Sequence, residues 1–217
     1  MNLSYNVNLY DTEAYVITLK DNAISETMSK RCQESCIAVQ MPYQIWYAID
    51  GTGPDYVIPD HLKTKSFLSW IKQANDKLTR AEIATFITHL SLWEHCMTIN
   101  KPIVILEHDA VMIKKYDFHR CVNMVYYLGS KKIYKDENNL KNLIPPWYQI
   151  RDSYNFINCA HAYAIDPFMA KNLFCDAIKN GIIAPVDNFI RVDKYCVVQQ
   201  ERFAYEESGI STIEKSS

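Results

Sequence analysis

The stretch Lys101-Pro-Ile-Val-Ile-Leu-Glu-His-Asp-Ala110 decides the fold. Its apolar segment, Ile103–Leu106, is too short for a helix and is rich in β-branched residues. A run of this kind is typical of a strand that is buried on both faces of a sheet. The run ends abruptly at Glu107, His108 and Asp109. In open α/β sheets ligands bind at the carboxyl ends of the strands, so these side chains are expected to face a site.

The three residues that end this strand predict a cation site or, in the plainer alternative, a loop cap. Two carboxylates that flank an imidazole supply oxygen and nitrogen ligands suited to a divalent cation. Acidic side chains also satisfy backbone amides where a chain leaves an element. The motif alone does not choose between the two, so the other strand ends become decisive.

The composition is that of an ordinary globular protein with one sizeable core. The chain has 217 residues, of which 48% are hydrophobic and 22% charged, and its formal net charge is -2. We therefore expect a single domain over residues 1–210 and a disordered tail at 211–217. A net charge this small gives no global basic field of the kind that nucleic-acid-binding proteins use.

The cysteines and the apolar runs indicate a cytoplasmic protein without a membrane span. Seven cysteines are scattered with no compact metal spacing, which is typical of a reducing compartment. The first residues lack the features of a signal peptide, and no apolar run is long enough to span a membrane. Among only five glycines there is no phosphate loop, GxSxG or CxxC motif, which disfavours dinucleotide oxidoreductases and P-loop NTPases.

Two further strands precede the decisive one and are expected beside it. The segments Ala14–Leu19 and Gln44–Ile49 read as strands, and the helix between them is expected to have Ser25 as its N-cap. Strand, helix and strand in this order imply a parallel βαβ unit. Thr18 and Asp50, at the carboxyl ends, should then face the same edge as the acidic end of the first strand described.

A long helix leads into that strand. Thr79 and Glu82 fit a capping box at its start, and apolar residues recur at helical spacing to about Thr98. Glu82 and His89 lie two turns apart on one side of this helix. Either one could orient a ligand, but capping explains Glu82 and a structural place in the core explains His89.

The remaining elements are predicted in less detail. Residues 114–141 carry seven Lys or Arg against three acids, with interleaved aromatic rings, which is typical of a solvated loop surface or, alternatively, of a site for an anionic acceptor. The other expected elements are a short helix at 66–74, a strand at 121–128, a long loop at 130–155, a strand at 161–165, a helix from Asp166 to Gly181 and a last strand at 195–199.

Several of these segments together resemble glycosyltransferase family 25. They are Val16-Ile-Thr-Leu19, Leu78-Thr-Arg-Ala-Glu-Ile83, Thr88-His-Leu-Ser-Leu-Trp93, Ile105-Leu-Glu-His-Asp-Ala110, Tyr127-Leu-Gly129, Ala162-Tyr-Ala-Ile165 and Pro185-Val-Asp187. They occur in the expected order over most of the chain. The sequence departs from the family pattern where His108 replaces an Asp, Thr18 replaces an Asn, and Ala81 and Ala84 replace glycines.

The resemblance implies an α/β fold, namely a GT-A-like Rossmannoid domain with a mainly parallel central sheet flanked by helices. It also implies a hexosyl- or pentosyltransferase that moves a sugar from a nucleotide-sugar donor to a hydroxyl, by inversion. Mn²⁺ or Mg²⁺ would be held by Asp109 and Glu107, and Asp187 would be the catalytic base, with capping of a turn as its alternative. The expected donor-binding residues are Thr18, Leu19, Asp50, Glu82, His89, Glu107 and His108.

Two alternatives stay open at this point. His108 in the acidic motif also fits a catalytically silent relative that only binds a nucleotide or a sugar. The acceptor is expected to be a glycan or a protein, but the basic and aromatic stretch also fits a hydroxymethylated DNA base of a phage genome.

Overall fold

The computed structural model describes residues 12–66, 69, 74–117, 123–129, 157, 159–199 and 202–207. These residues form a mixed α/β domain in which the central sheet is flanked by helices. The predicted helix at 66–74 falls mostly outside them, as does most of the basic stretch, while the loop at 130–155 and the tail at 211–217 fall wholly outside. None of the described helices is long and apolar enough to cross a membrane.

The elements follow one another as β1 Glu13–Thr18, α1 Ala23–Ala38, β2 Tyr43–Tyr47, a 3₁₀ turn Asp60–Leu62, α2 Arg80–Ile99, β3 Ile103–Leu106, β4 Ala110–Met112, β5 Val125–Tyr127, β6 Ala162–Ile165, α3 Pro167–Asn180, α4 Val186–Phe189, β7 Val197–Val198 and β8 Ala204–Glu206.

The central sheet has the strand order β2-β1-β3-β6-β5-β7. Strand β1 pairs in parallel with both β2 and β3, and β5 pairs in parallel with β7. Strand β6 runs antiparallel to its neighbours β3 and β5. The prediction of a mainly parallel sheet is therefore confirmed, with β6 as the strand that runs the other way. A separate ribbon of β4 and β8 lies beyond the end of β3.

Strand β3 is buried on both faces, as its unbroken apolar run predicts. Ile103 and Ile105 pack into a core layer with α2 and α3, and Val104 and Leu106 pack into a second layer with α1 and β4. Because successive side chains of a strand point to opposite faces, the next residue of the first set is Glu107. Its carboxylate is thereby directed to the α2 side of the sheet.

The helix starts follow local capping chemistry, with one correction. The capping box of Thr79 and Glu82 is present at the start of α2, and Asp166 caps α3 ahead of Pro167. The N-cap of α1 is Asn22 rather than Ser25, because Asn22 Oδ1 accepts the Ser25 N–H at 3.0 Å. Ser25 is already inside the first turn, so its hydroxyl serves other partners.

The later strands are shorter than predicted. Strand β5 spans three residues and β7 two, and β8 was not predicted at all. The reason is that these strands gain their regular structure from pairing with distant segments, which leaves little local pattern.

Candidate active site

A cavity of about 190 Å³ lies at the carboxyl ends of β1, β2 and β3. One end is apolar and the other is acidic, and two threonines of α2 form part of the wall. Its lining residues are Ile17, Leu19, Ala48, Ile49, Thr85, Thr88, Glu107, His108, Asp109, Cys159 and Glu206. This is the position at which an open α/β sheet presents a ligand site.

The acidic end combines the end of β3 with the end of β8. Strand pairing sets Ala110 opposite Glu206, and the Glu207 N–H donates to the backbone oxygen of Asp109 at 2.9 Å. Arg31 on α1 forms a salt bridge with Glu207 at 2.9 Å, which connects α1 to the residue that follows β8. The carboxylates of Glu107, Asp109 and Glu206 consequently line one cavity.

Of the three carboxylates at the acidic end of the cavity, that of Asp109 has an oxygen without a hydrogen-bond partner in the described part of the chain. Its Oδ1 is buried and has no hydrogen-bond partner among the described residues. Burial, and then the negative charges of Glu107 and Glu206, raise the pKa of Asp109 to about 8. A buried oxygen without a donor is uncommon in proteins and calls for an explanation such as an ion.

Glu107 has the opposite electrostatic setting. Burial on its own raises the pKa of Glu107, but the hydrogen bond from His89 and the imidazoles of His161 and His108 outweigh it and lower that pKa below the ordinary value. His89 Nε2 lies 3.2 Å from Glu107 Oε1. Glu107 is thus held as a carboxylate at the wall of the cavity.

A buried chain of hydrogen bonds orients Glu107 from behind. The Trp93 indole N–H donates to the Tyr163 hydroxyl at 2.9 Å, and that hydroxyl lies 2.8 Å from His89 Nδ1. Because the Tyr163 hydroxyl accepts from Trp93, its own proton is directed to His89 Nδ1 in a hydrogen bond. This favours the tautomer of His89 with its proton on Nε2, and that N–H donates a hydrogen bond to Glu107. His89, Trp93 and Tyr163 are all 0% exposed, so these hydrogen bonds are shielded from water.

His108 is connected to α1 instead. Its Nδ1 lies 3.0 Å from the Ser25 hydroxyl, and Ser25 Oγ accepts the Leu19 N–H at 2.9 Å. Burial lowers the pKa of His108, and Glu107 opposes this only in part, so the imidazole is neutral at pH 7. The bond from Ser25 favours the tautomer with its proton on Nε2, which makes His108 a hydrogen-bond donor.

The sequence-predicted site residues divide into two groups. Leu19, Glu107, His108 and Asp109 line the cavity, and His89 supports Glu107 from the core. The structure does not bring the side chains of Thr18, Asp50 and Glu82 into the cavity.

Each of these three side chains has another local partner. Thr18 Oγ1 lies 2.6 Å from the hydroxyl of Ser29 on α1, because Ile17 and Leu19, on either side of it, point to the cavity face. Asp50 Oδ1 accepts from the backbone N–H and the hydroxyl of Thr52. Glu82 accepts from Thr79 in the capping box.

Asp187 lies on α4, outside the cavity lining. Its Oδ1 accepts the Asn188 N–H at 2.9 Å. Its charge nevertheless acts on Tyr127, whose pKa is raised by burial first and then by Cys159, Glu206, Glu107 and Asp187. Asp187 is therefore within electrostatic reach of the same group of side chains, and its role as a base stays a prediction.

Sequence reasoning missed Glu206, Cys159 and the α2 threonines. Glu206 carries no local signal, since only the pairing of β8 with β4 brings it to Asp109. Cys159 precedes a predicted strand with His161 two residues later, and this Cys-x-His spacing was a usable signal. Thr88 accepts the Ile49 N–H at 3.1 Å and so ties the end of β2 to α2.

Three comparisons with known proteins bear on the family of this chain. A comparison with curated protein sequences gives no match. The fold is similar, at a TM-score of 0.43 and 9% sequence identity, to the crystal structure of a glycosyltransferase involved in the glycosylation of the major capsid of PBCV-1, over 93% of this chain and 95% of that chain. A sequence model of glycosyltransferase family 25 (LPS biosynthesis protein) matches residues 11–190. Since this match spans well over half of the chain, the protein belongs to glycosyltransferase family 25 and is a glycosyltransferase.

Proposed function

We propose that this glycosyltransferase uses Mn²⁺ or Mg²⁺ at Asp109 and Glu107 and takes its sugar, a hexosyl or pentosyl group, from a nucleotide-sugar donor in a GT-A-like arrangement. The observation that carries the proposal is the convergence of three carboxylates on one cavity, with Asp109 Oδ1 buried and unpaired among the described residues. Like charges at such close quarters are unfavourable unless a proton or a cation compensates them.

The side chains present fit a hard divalent cation. Carboxylate oxygens are the ligands that Mg²⁺ and Mn²⁺ prefer, and Asp109 Oδ1 is available because no described donor uses it. Glu107 is already ionised, since the pKa of its carboxyl is lowered. When bound, the cation would neutralise the charge that develops on the leaving nucleoside diphosphate.

The rest of the cavity supplies binding surface for the donor. Ile17, Leu19, Ala48 and Ile49 form an apolar wall, which suits the flat face of a nucleobase. His108, with its proton on Nε2, can donate to a phosphate oxygen. At the position where the family pattern has a carboxylate, this chain therefore offers a neutral hydrogen-bond donor to the phosphate.

The acceptor hydroxyl must lose its proton during an inverting transfer, and we propose Asp187 as the base. Support comes from its electrostatic reach to Tyr127 together with Glu107 and Glu206. Capping of the adjacent Asn188 N–H is the competing role. Asp187→Asn should lower the rate of transfer to an acceptor while donor binding is kept.

The test of the proposal is a donor panel. The purified protein is incubated with nucleotide sugars with and without Mn²⁺ or Mg²⁺, and the release of nucleoside diphosphate is measured. We expect the release to depend on the cation and to be abolished in Asp109→Asn. In the control variant Glu13→Gln, at the amino end of β1 and away from the cavity, the release should be unchanged. Release that is equal in EDTA, or unaffected by Asp109→Asn, contradicts the proposal.

A catalytically silent relative is the second candidate, and the observation that favours it is the imidazole of His108 in an otherwise acidic motif. It predicts that a nucleotide raises the melting temperature without any turnover in the donor panel. The same panel with parallel melting curves therefore separates the two functions.

For the acceptor we propose a glycan or a protein hydroxyl, with a hydroxymethylated DNA base as the alternative. A duplex acceptor would require extrusion of the base and salt-sensitive binding. No retention on a DNA column, or retention that is equal at low and moderate salt, removes the DNA alternative.

A further inference from the structure

A second group of ligand-type side chains adjoins the acidic end of the cavity. Cys159, His161 and Glu206 offer a thiol, an imidazole and a carboxylate whose ligand atoms all lie within 4.8 Å of one another. Within the part of the chain that the structure describes, this is the one set of three such side chains that close together. Neither Asp109 nor Glu107 belongs to it.

The backbone is shaped to hold this group. Cys159 adopts a φ of 86°, a left-handed conformation that is uncommon for a residue with a side chain and is usually retained at functional sites. The His161 backbone oxygen accepts the Glu107 N–H at 2.8 Å. Glu206 arrives through the pairing of β8 with β4.

The His161 ring occupies space that a glycine leaves open. A Cβ on Gly129 would lie 2.1 Å from His161 Nε2, so any other residue there would displace the ring. The ring also meets Tyr127 edge-on, with a centroid distance of 6.0 Å. His161 is thereby fixed next to Cys159 and Glu206.

We propose that Cys159, His161 and Glu206 form a zinc site, separate in its ligands from the Mn²⁺ or Mg²⁺ site. Zinc prefers thiolate, imidazole and carboxylate ligands, whereas Mg²⁺ and Mn²⁺ prefer oxygen. Zn–S bonds of about 2.3 Å and Zn–O bonds of about 2.1 Å at a tetrahedral angle separate sulfur from oxygen by about 3.6 Å. Cys159 Sγ and Glu206 Oε2 are 3.6 Å apart.

Three protein ligands leave one coordination position open, as in zinc sites that bind water or a substrate. Burial, and then Glu107 and Glu206, raise the pKa of the Cys159 thiol. The thiol donates a hydrogen bond to Glu206, so zinc must displace the thiol proton in order to bind the sulfur. Binding strengthens with rising pH because the ligand has to be deprotonated.

The zinc site does not depend on the proposed nucleotide-sugar chemistry, and it is tested without any donor. Co²⁺, which takes the same tetrahedral sites, is titrated into the full-length protein. We expect a thiolate-to-Co²⁺ charge-transfer band that Zn²⁺ removes. The band should be unchanged in Cys175→Ser, a control at an exposed cysteine on α3, and absent in Cys159→Ser.

A second variant covers the case in which Cys159→Ser does not fold. Glu206→Gln keeps the size of the side chain and should weaken Co²⁺ binding by at least tenfold, because even the loss of a hydrogen-bonding partner of a metal ligand costs about 10- to 100-fold in affinity. Absence of the band in the unmodified protein overturns the proposal. So does a band that persists in Cys159→Ser, or Co²⁺ affinity that is equal in Glu206→Gln and Cys175→Ser.

Discussion

Glu, His and Tyr side chains form a cluster at each end of the strands of the central sheet, and the two clusters differ in how completely their surroundings are hydrogen-bonded. We call the side where β1 and β3 begin the amino edge and the side where they end the carboxyl edge. At the amino edge, Glu13 accepts from the Tyr15 hydroxyl at 3.1 Å and from Gln44 Nε2 at 2.8 Å. His95 Nε2 lies 2.9 Å from that same hydroxyl. Both oxygens of the Glu13 carboxylate therefore have partners, and the group holds strands together.

At the carboxyl edge, Glu107, His89 and Tyr163 also form a chain of hydrogen bonds. Both groups border a cavity, and the difference lies next to Glu107. Beside it Asp109 Oδ1 has no partner among the described residues, and the pKa of Asp109 is raised to about 8. His89 and His95 lie on the same helix, and Tyr15 and Tyr163 lie in the same sheet. The difference shows that neither residue type nor the presence of a cavity separates the two clusters; the buried oxygen of Asp109, unpaired within the described ranges, does.

The largest effect is expected on turnover. Glu107→Gln removes the ionised carboxylate from the cavity wall and should slow release of nucleoside diphosphate about a hundredfold, or about 2.7 kcal/mol of activation free energy. Glu13→Gln should stay within about twofold of the unmodified protein. Initial rates at saturating Mn²⁺ measure both, and equal losses in the two variants would erase the distinction between the edges.

A smaller effect is expected on stability. Tyr163→Phe leaves the Trp93 N–H and His89 Nδ1 buried without this hydroxyl, which should cost about 2 kcal/mol of the free energy of unfolding. Tyr15→Phe should cost about 1 kcal/mol or less, because water can reach its half-buried partners Glu13 and His95. Urea unfolding compares the pair. A greater loss in Tyr15→Phe is the contrary result.

The third effect depends on pH. The folded protein holds the Asp109 proton up to about pH 8, whereas the unfolded chain releases it near about pH 4. Between these values the folded state binds more protons than the unfolded state, so the free energy of unfolding falls as the pH rises. Asp109→Asn removes this loss.

In EDTA, Asp109→Asn should therefore be more stable than the unmodified protein near pH 8, by at least about 1 kcal/mol and at most about 5 kcal/mol, and equal to it near pH 4. Urea unfolding at both pH values measures this. Glu13→Gln serves as the control and should show no gain at pH 8. A variant Asp109→Asn that is destabilised at pH 8 would mean that the Asp109 carboxylate is structurally satisfied after all.

The smallest effect is expected at the amino edge. Gln44→Ala removes one of the donors to Glu13, but this hydrogen bond is exposed. It should change the free energy of unfolding by about 0.5 kcal/mol and leave turnover unchanged. A loss of turnover would show that the amino edge communicates with the cavity.

Local sequence chemistry was sufficient for part of this picture. The apolar run of β3, the capping box at Thr79 and the Asp166-Pro167 helix start each depend on neighbours in the chain, and all three are confirmed. The direction of Thr18 was also within reach, since alternation along β1 places it on the opposite face from Leu19.

The rest depends on contacts between distant segments. Glu206 reaches Asp109 only because β8 pairs with β4, and a three-residue strand has too little pattern to be recognised in advance. To predict that His89 pairs with Glu107, one must know how α2 is rotated about its axis relative to the sheet. The periodicity of the apolar residues alone does not determine that rotation. The carboxylates that line the cavity were therefore predicted at the end of one strand and missed on the other.

The central claim is that the carboxyl edge, and not the amino edge, holds the catalytic cation. A crystal structure with Mn²⁺ and a nucleoside diphosphate tests it most directly, through the anomalous difference density of manganese. We expect the manganese peak at bonding distance from Asp109 Oδ1, with the diphosphate beside it. Diphosphate bound in the cavity with no manganese at Asp109, or manganese at Glu13, would contradict the account.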